Sequence, residues 1–191
     1  MREAHAGRAR HPRETRLCDA GTMSLVIDRV TVATPEIAAF IAAHHAEMDG
    51  TAPPESQHAL PLDRLLTPRI RFFTGRVDGR IAATGALAVV EDGHEELKSM
   101  RTDPAFRGRG FGRTMLGHLL DDAGARGVRR LSLETGRDPF FAPARAMYAA
   151  AGFREGAPFG SYLPDPHSAF LTMLLPASSA ATTPPHAIMN G

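Results

Sequence analysis

The sequence predicts a single α/β domain of the α+β kind, with a mixed, mostly antiparallel central sheet flanked by helices. Strand-like runs joined by short turns fill residues 70–101, and a glycine-rich segment then opens an amphipathic helix. A further strand follows that helix, and a strand–loop–helix–strand order makes a crossover between parallel strands. We expect the domain to span residues 24–176, with residues 1–23 and 177–191 as disordered extensions.

Composition describes an ordinary soluble protein of 191 residues with a net charge of +1, 43% hydrophobic and 23% charged residues. This balance points to neither nucleic acid nor a membrane surface as a partner. No apolar run approaches the roughly 18 residues of a membrane-spanning helix. The single cysteine, Cys18, excludes an internal disulfide. We therefore expect a cytoplasmic protein without membrane or nucleic-acid partners.

The first elements are a strand at residues 25–30 and a helix that follows it. Thr34 is a favourable N-cap and Pro35 a favourable first helical residue. One face of this helix is expected to pack on the sheet; it carries Ile37, Phe40, Ile41, His44 and Met48. His44 and His45 are adjacent and point to different faces, so they are predicted to be packing or solvated residues and not metal ligands.

Residues 49–61 are predicted to form a loop, and residues 60–66 a short helix. Segments of this kind, between a first helix and a sheet, often form the walls of substrate sites. His58 and Arg64 are the polar candidates for substrate contact in this region.

A β-hairpin is predicted over residues 70–90, because Asp78-Gly79 is a strong two-residue turn signal. A second turn, at Asp92-Gly93, leads to a strand at residues 95–101. Strict alternation along this strand would place Glu96, Lys98 and Met100 on one face and Leu97, Ser99 and Arg101 on the other.

The glycine-rich segment reads Arg107-Gly108-Arg109-Gly110-Phe111-Gly112 and precedes a helix pattern at residues 113–127. Glycines permit positive φ and close backbone approach. The unpaired N–H groups and positive dipole end of the helix favour an anion, usually phosphate. No Lys-Ser/Thr pair follows the last glycine, which excludes a P-loop. The antiparallel strands before it disfavour the dinucleotide-binding fingerprint.

A strand is predicted at residues 131–135, parallel to the strand at 95–101, and a helix at residues 143–151 that Gly152 ends. Phe153 is predicted to begin another strand, and residues 169–175 to form the last one. The chain from Pro176 onward has no core pattern.

These motifs resemble the GNAT N-acetyltransferases. The resemblance rests on residues 107–112, on the strand at 131–136, and on the helix Ala144 to Phe153 with its Ala-x-x-x-Tyr and Ala-Gly-Phe patterns. Residues 96–102 and 158–166 are similar to a bacterial subgroup of small-molecule acetyltransferases, some of them named indole-acetate acetyltransferases. The resemblance covers residues 25–175. It implies a GNAT-like fold and direct acetyl transfer from acetyl-CoA to a small-molecule primary amine within a ternary complex.

The resemblance also implies a set of residues for coenzyme A. Ser99, Met100 and Arg101 would pair through their backbone with the pantetheine amides, as an added strand does. Phe141 stands where many relatives have an asparagine, so contacts on that side would fall to Ala142 or Ala144. The pyrophosphate would bind the segment Arg107, Gly108, Arg109, Gly110, Phe111, Gly112 and Arg113.

Tyr148 matches the tyrosine that contacts the thioester sulfur and protonates the leaving thiolate in this family. A phenol with a pKa near 10 can protonate a thiolate whose parent pKa is about 8.5. A core tyrosine is a compatible alternative. Glu96 matches the general base of the histone-modifying branch; Glu134 is the rival base, and water remains a third possibility. No metal is expected.

The paired C-terminal tyrosines of the ribosomal-protein branch are absent, which favours a small-molecule acceptor. Phe159 and Tyr162 are expected to line its pocket. Two alternatives stay open: a non-catalytic acyl-CoA-binding regulatory module, and a protein or peptide amine acetyltransferase. An RNA-binding Arg-Gly segment is disfavoured by the near-zero net charge. Similar proteins are commonly dimers, so a homodimer is a further expectation.

Overall fold

A seven-stranded sheet is the framework of the protein. Its strands are β1 (Val26–Val30), β2 (Ile70–Val77), β3 (Arg80–Glu91), β4 (His94–Thr102), β5 (Arg130–Gly136), β6 (Arg154–Glu155) and β7 (Ser168–Leu174). They lie side by side in the order β1-β2-β3-β4-β5-β7-β6. The computed structural model of the chain describes residues 23–53, 56 and 58–176. Every neighbouring pair of strands is antiparallel except β4 and β5, which are parallel. The mixed, mostly antiparallel sheet is therefore confirmed.

In the described residues, four α-helices flank the sheet: α1 (Pro35–Met48), α2 (Leu62–Leu65), α3 (Phe111–Ala125) and α4 (Ala142–Ala151). The hydroxyl of Thr34 accepts a hydrogen bond from the Ile37 N–H at 3.3 Å, which confirms the predicted cap. Helix α3 begins two residues before the predicted pattern. Within the described part of the chain, no helix is long and apolar enough to cross a membrane. The predicted extensions lie outside the described residues, apart from Met23.

Both faces of the sheet are covered. Phe72 and Phe73 are neighbours on β2 and pack on opposite faces, because side chains alternate along a strand. Phe72 joins the core beneath α1 and α2, and Phe73 joins the larger core beneath α3 and α4. The hairpin is also as predicted: Asp78 and Gly79 both have positive φ, 48° and 78°.

A β-bulge in β4 corrects the predicted alternation of that strand. Ser99 has a φ of 52°, and the register with β3 shifts between Thr84 and Ala86. A bulge adds one unpaired residue and so reverses the faces of all that follow. Met100 therefore packs with the core beneath α3, whereas Arg101 lies over the Phe40 ring of α1. The predicted faces of Met100 and Arg101 were both wrong.

The parallel ladder between β4 and β5 is short. It pairs residues 94–97 with residues 130–133, the last pair being Leu97 and Leu133. Strand β4 continues to Thr102 and β5 to Gly136 without further pairing to each other. The two strands therefore separate, and a gap opens between them.

Candidate active site

The glycine-rich segment forms a helix start of the predicted kind. Gly110 is the N-cap of the 15-residue helix α3 and has a φ of 84°, and Gly108 has a φ of 75°. L-residues rarely adopt these angles. No heavy atom lies within 4 Å of a Cβ built on either glycine, so space beside the loop is open. The first N–H groups of α3 therefore face an accessible cradle suited to phosphate.

A cavity of about 490 Å³, the loop cavity, lies beside this cradle. Most of the residues predicted for coenzyme A form its wall, but Ser99, Arg109 and Ala142 do not. The guanidinium of Arg109 turns instead to the Phe106 ring, 5.8 Å away, and to the Met23 sulfur. The predicted residues that do line the loop cavity are Met100, Arg101, Arg107, Gly108, Gly110, Phe111, Gly112, Arg113, Ala144 and Tyr148.

Two arginines of this wall are already engaged by Glu47 of α1. Arg101 donates to Glu47 at 2.6 Å and to the Phe40 carbonyl at 3.1 Å. Arg107 donates to the other oxygen of Glu47 and to the Thr102 carbonyl. Burial alone would raise the pKa of Glu47, but the two guanidinium groups lower it. Glu47 thus joins β4 and the loop to α1.

A second cavity of about 130 Å³, the carboxylate cavity, lies in the gap between β4 and β5. Glu96, Lys98 and Ser99 line it from β4, and Glu134 lines it from β5. The two cavities meet, because they share wall residues. The shared residues are His44, Met100, Phe141, Ala144 and Tyr148.

Tyr148 stands at this junction. Its side chain is 6% exposed and packs on Phe153, with ring centroids 5.9 Å apart. The residue lines both cavities, and its hydroxyl makes no hydrogen bond to the described residues. Burial, with the nearby Glu134 charge, raises the pKa of Tyr148 above its ordinary value. The hydroxyl therefore stays protonated and is free to donate.

Glu96, Lys98 and Tyr162 contact one another through their polar side-chain atoms. Lys98 Nζ donates to Glu96 Oε1 at 2.7 Å, and the Tyr162 hydroxyl donates to the same oxygen at 2.6 Å. Lys98 Nζ also lies 2.7 Å from the Tyr162 hydroxyl. The carboxylate is buried, and an ammonium group of similar burial balances its charge.

Glu134 lies in a different environment. Its Oε1 accepts a hydrogen bond from the Ser168 hydroxyl at 2.6 Å, and it forms no ion pair among the described residues. Burial raises the pKa of Glu134, and the Ser168 hydrogen bond only partly opposes this. A carboxylate with a raised pKa is a better proton acceptor at neutral pH.

The predicted acceptor wall is partly assembled around Tyr162. His58 lines the carboxylate cavity, and its ring meets Tyr162 edge-on at 4.9 Å between centroids. Phe159 packs on Tyr162 and on Phe170, and neither Phe159 nor Tyr162 is among the residues that line the two cavities. Arg64 is exposed and lines neither cavity. The fold does not bring Arg64 to the site, because α2 buries its neighbour Leu65 and so turns Arg64 toward solvent.

Sequence reasoning missed several residues of the site, among them Glu47, Ser168 and His167 and, more informatively, His44 and Lys98. His44 was predicted to pack or to be solvated, but it lines both cavities, and burial together with Arg101 lowers its pKa to about 4. Its position on the apolar face of α1 was a usable signal. Lys98 was placed on the face of Glu96 but given no role. Across residues 23–53, 56 and 58–176, no cluster of three metal-binding side chains occurs.

Comparisons with known proteins agree with this geometry. The family model described as the acetyltransferase (GNAT) family matches residues 37–153. The N-acetyltransferase YedL of Escherichia coli is 40% identical over 141 residues, covering 74% of this chain and 89% of that protein. The ribosomal protein bS18-alanine N-acetyltransferase of Escherichia coli is 31% identical over 150 residues, covering 78% and 98%.

A solved structure from Klebsiella pneumoniae, described as an acyl-CoA N-acyltransferase, superposes with a TM-score of 0.64 at 28% identity. The match covers 79% of this chain and 97% of that one. The separated strands β4 and β5, the cradle at α3 and the tyrosine of α4 thus occur in a fold shared with acyl-transferring enzymes. The chain belongs to the acetyltransferase (GNAT) family and is an N-acetyltransferase.

Proposed function

We propose that the protein transfers the acetyl group of acetyl-CoA to a primary amine of a small molecule, by direct attack within a ternary complex. The observation that carries this proposal is the meeting of the two cavities at Tyr148. One cavity begins at a phosphate cradle, and the other is lined by two carboxylates. Donor and acceptor can therefore approach one tyrosine from two different cavities.

The residues of the loop cavity fit coenzyme A. The N–H groups at the start of α3, with Arg113, suit a pyrophosphate. Beyond Leu97, the edge of β4 that faces β5 has no strand partner among the described residues, and it can pair with the amides of an extended ligand. When bound, acetyl-CoA supplies an acetyl group activated as a thioester. Ala144 rather than Ala142 lies on the wall on the α4 side.

Glu134 fits the role of general base better than Glu96. An amine arrives largely protonated, and only its free form attacks. Glu96 already accepts from Lys98 and Tyr162, whereas Glu134 accepts only from Ser168 and has a raised pKa. Glu134 would take the ammonium proton, and the nitrogen would then attack the thioester carbon. As the C–N bond forms and the C–S bond breaks, the Tyr148 hydroxyl would protonate the thiolate. The second proton lost by the nitrogen would restore the Tyr148 phenol, and Glu134 would release its proton to solvent.

A small-molecule acceptor is supported by the size of the carboxylate cavity and by the segment beside it. The cavity is about 130 Å³, and the segment between β6 and β7 is tied to β4 through the Tyr162 hydroxyl. This contact narrows the space through which a peptide would run. One relative is named for acetylation of an alanine of ribosomal protein bS18, so a protein amine is the alternative acceptor. A non-catalytic acyl-CoA-binding module is the second alternative.

The test is thiol release from acetyl-CoA with a panel of small amines and peptide N-termini, and mass spectrometry of the acetylated products. Glu134→Gln should lower kcat by about 10²–10⁴-fold, whereas Glu96→Gln should have a much smaller effect on kcat. The reverse ranking would assign the base to Glu96. Initial velocities should give intersecting double-reciprocal lines, and parallel lines would exclude a ternary complex. Coenzyme A binding without turnover of any amine would favour the regulatory module, and faster turnover of peptides would favour a protein acceptor.

A further inference from the structure

We infer that the acceptor is an amine with no carboxylate next to its amino group, such as a decarboxylated amine or an amino-acid amide, and not a free amino acid. The inference names the substrate class of the proposed acetyl-transfer site and rests on that function. It follows from which charges around the carboxylate cavity are already balanced and which are not.

Among the described residues, the acidic and basic side chains that line the carboxylate cavity are, apart from three histidines, Glu96, Lys98 and Glu134. Lys98 and Glu96 neutralise each other at 2.7 Å, and Tyr162 fixes both. Glu134 has only a hydroxyl partner. The described wall therefore carries one carboxylate without an ion-pair partner, and its one ammonium group is already paired with Glu96.

Guanidinium groups around the site that already donate to protein acceptors do not supply a partner for an acceptor carboxylate. Arg145 donates to the carbonyls of Gly136, a residue of the carboxylate cavity wall, and of Asp138. Arg101 and Arg107 line the loop cavity, and both donate to Glu47. His44 is held neutral by burial, which lowers its pKa to about 4. The remaining wall groups able to charge are two histidines, His58 and His167.

Such a wall discriminates between amines by charge. An ammonium group is attracted to Glu134, which is also its proposed proton acceptor. In an α-amino acid the carboxylate is only two bonds from the nitrogen, so it enters the same partly desolvated space and meets a like charge. Like charges brought together in such a site are strongly disfavoured. A neutral amide at the same position meets no such penalty.

The experiment compares kcat/KM at pH 8.5 and saturating acetyl-CoA within matched sets. The sets are tyramine, tyrosinamide and tyrosine, and ethanolamine, serinamide and serine. In each set that is used, the acid should be at least about tenfold poorer than the amine and the amide. Equal or better use of the free acid would overturn the inference and leave acetyl transfer intact. Turnover of no member of any set, nor of any other amine, would instead remove the proposed function.

Variants test the charge argument directly. Glu96→Gln should free Lys98 to bind a carboxylate and so raise the acid-to-amide ratio of kcat/KM several-fold. Glu134→Gln should raise the same ratio by removing the repelling charge, although turnover falls for both acceptors. Glu155→Gln, at an exposed carboxylate outside both cavities, is the matched control and should leave the ratio unchanged. A ratio that stays constant in both test variants would overturn the inference.

Discussion

Replacing each of the two tyrosines of the chain by phenylalanine should separate catalysis from stability. Tyr148→Phe and Tyr162→Phe remove the same atom from two buried or half-buried rings. Tyr148 lines both cavities, and its hydroxyl has no hydrogen-bond partner among the described residues. The Tyr162 hydroxyl contacts Lys98 and Glu96. Each variant is thus the control for the other.

The expected magnitudes follow from these contacts. Tyr148→Phe breaks no hydrogen bond and keeps the packing on Phe153, so the free energy of unfolding should change by less than about 0.5 kcal/mol. Loss of the proton donor should lower kcat by about 10²–10⁴-fold. Tyr162→Phe removes a hydrogen bond to a carboxylate, which costs about 1.5–3 kcal/mol. For a domain of this size, the Tm falls about 2–4 °C per kcal/mol.

The measurements are thermal unfolding, calorimetric affinity for coenzyme A, and kcat from thiol release, for both variants and the unchanged protein. Tyr148→Phe should keep the Tm and the coenzyme A affinity while losing turnover. Tyr162→Phe should lower the Tm and retain most of kcat. Because burial raises the pKa of Tyr148, ionisation of this hydroxyl should not lower kcat of the unchanged protein at any pH up to about 10. Full turnover in Tyr148→Phe would refute the assignment of the proton donor.

Three further perturbations address the base, the cradle and the fold. Because burial raises the pKa of Glu134, the midpoint of the acid side of the kcat/KM–pH profile should lie above the ordinary carboxyl pKa of 4.5. The buried charge destabilises the folded state only at a pH where Glu134 is ionised. Glu134→Gln should therefore raise the Tm at pH 8 and have little effect on the Tm at pH 4. Gly110→Ala, at a φ of 84°, should strain the helix start by about 1–2 kcal/mol and weaken coenzyme A binding in calorimetry, whereas Gly124→Ala in the same helix should not weaken it. Arg126→Met leaves the buried Glu95 without its bidentate partner and should cost about 3 kcal/mol in urea unfolding. In that variant the affinity for coenzyme A should be unchanged.

Features that depend on short stretches of chain could be predicted from the sequence. The Asp78-Gly79 turn, the Thr34 cap and the glycine-rich start of α3 each follow from local backbone chemistry. The order strand, loop, helix, strand was enough to predict that β4 and β5 are parallel. The sequence also placed Tyr148 on α4, and its resemblance to a known family supplied a reason for that position.

Features that depend on contacts between distant elements could not be predicted in this way. Alternation has a period of two only in a regular strand, so the bulge at Ser99 reversed the faces of Met100 and Arg101. His44 has the helical spacing of a packing residue, and only the placement of α1 over the gap brings it to both cavities. Arg64 was a candidate for substrate contact because its segment was predicted to form a wall of the substrate site. The orientation of α2, which the sequence does not show, decides that Leu65 and not Arg64 is buried.

The bulge and the separation of the strands lie close together on β4. Leu97 is the last residue of β4 paired with β5, and the bulge comes two residues later, at Ser99. The Thr84 hydroxyl, fully buried on β3, donates to the Ser99 carbonyl at 2.9 Å. This hydrogen bond holds the bulge in place from the side of the sheet where pairing continues.

The residues after the bulge are fixed on both faces of the sheet. On one face, Met100 enters the space that Gly85 leaves free, since a Cβ there would lie 2.7 Å from the Met100 sulfur. On the other face, Arg101 is held by Glu47. Because β5 no longer pairs with this part of β4, contacts from β3 and α1 hold the open edge of β4 in place. The shape of the loop cavity therefore depends on the bulge in β4, which contacts with β3 and α1 stabilise.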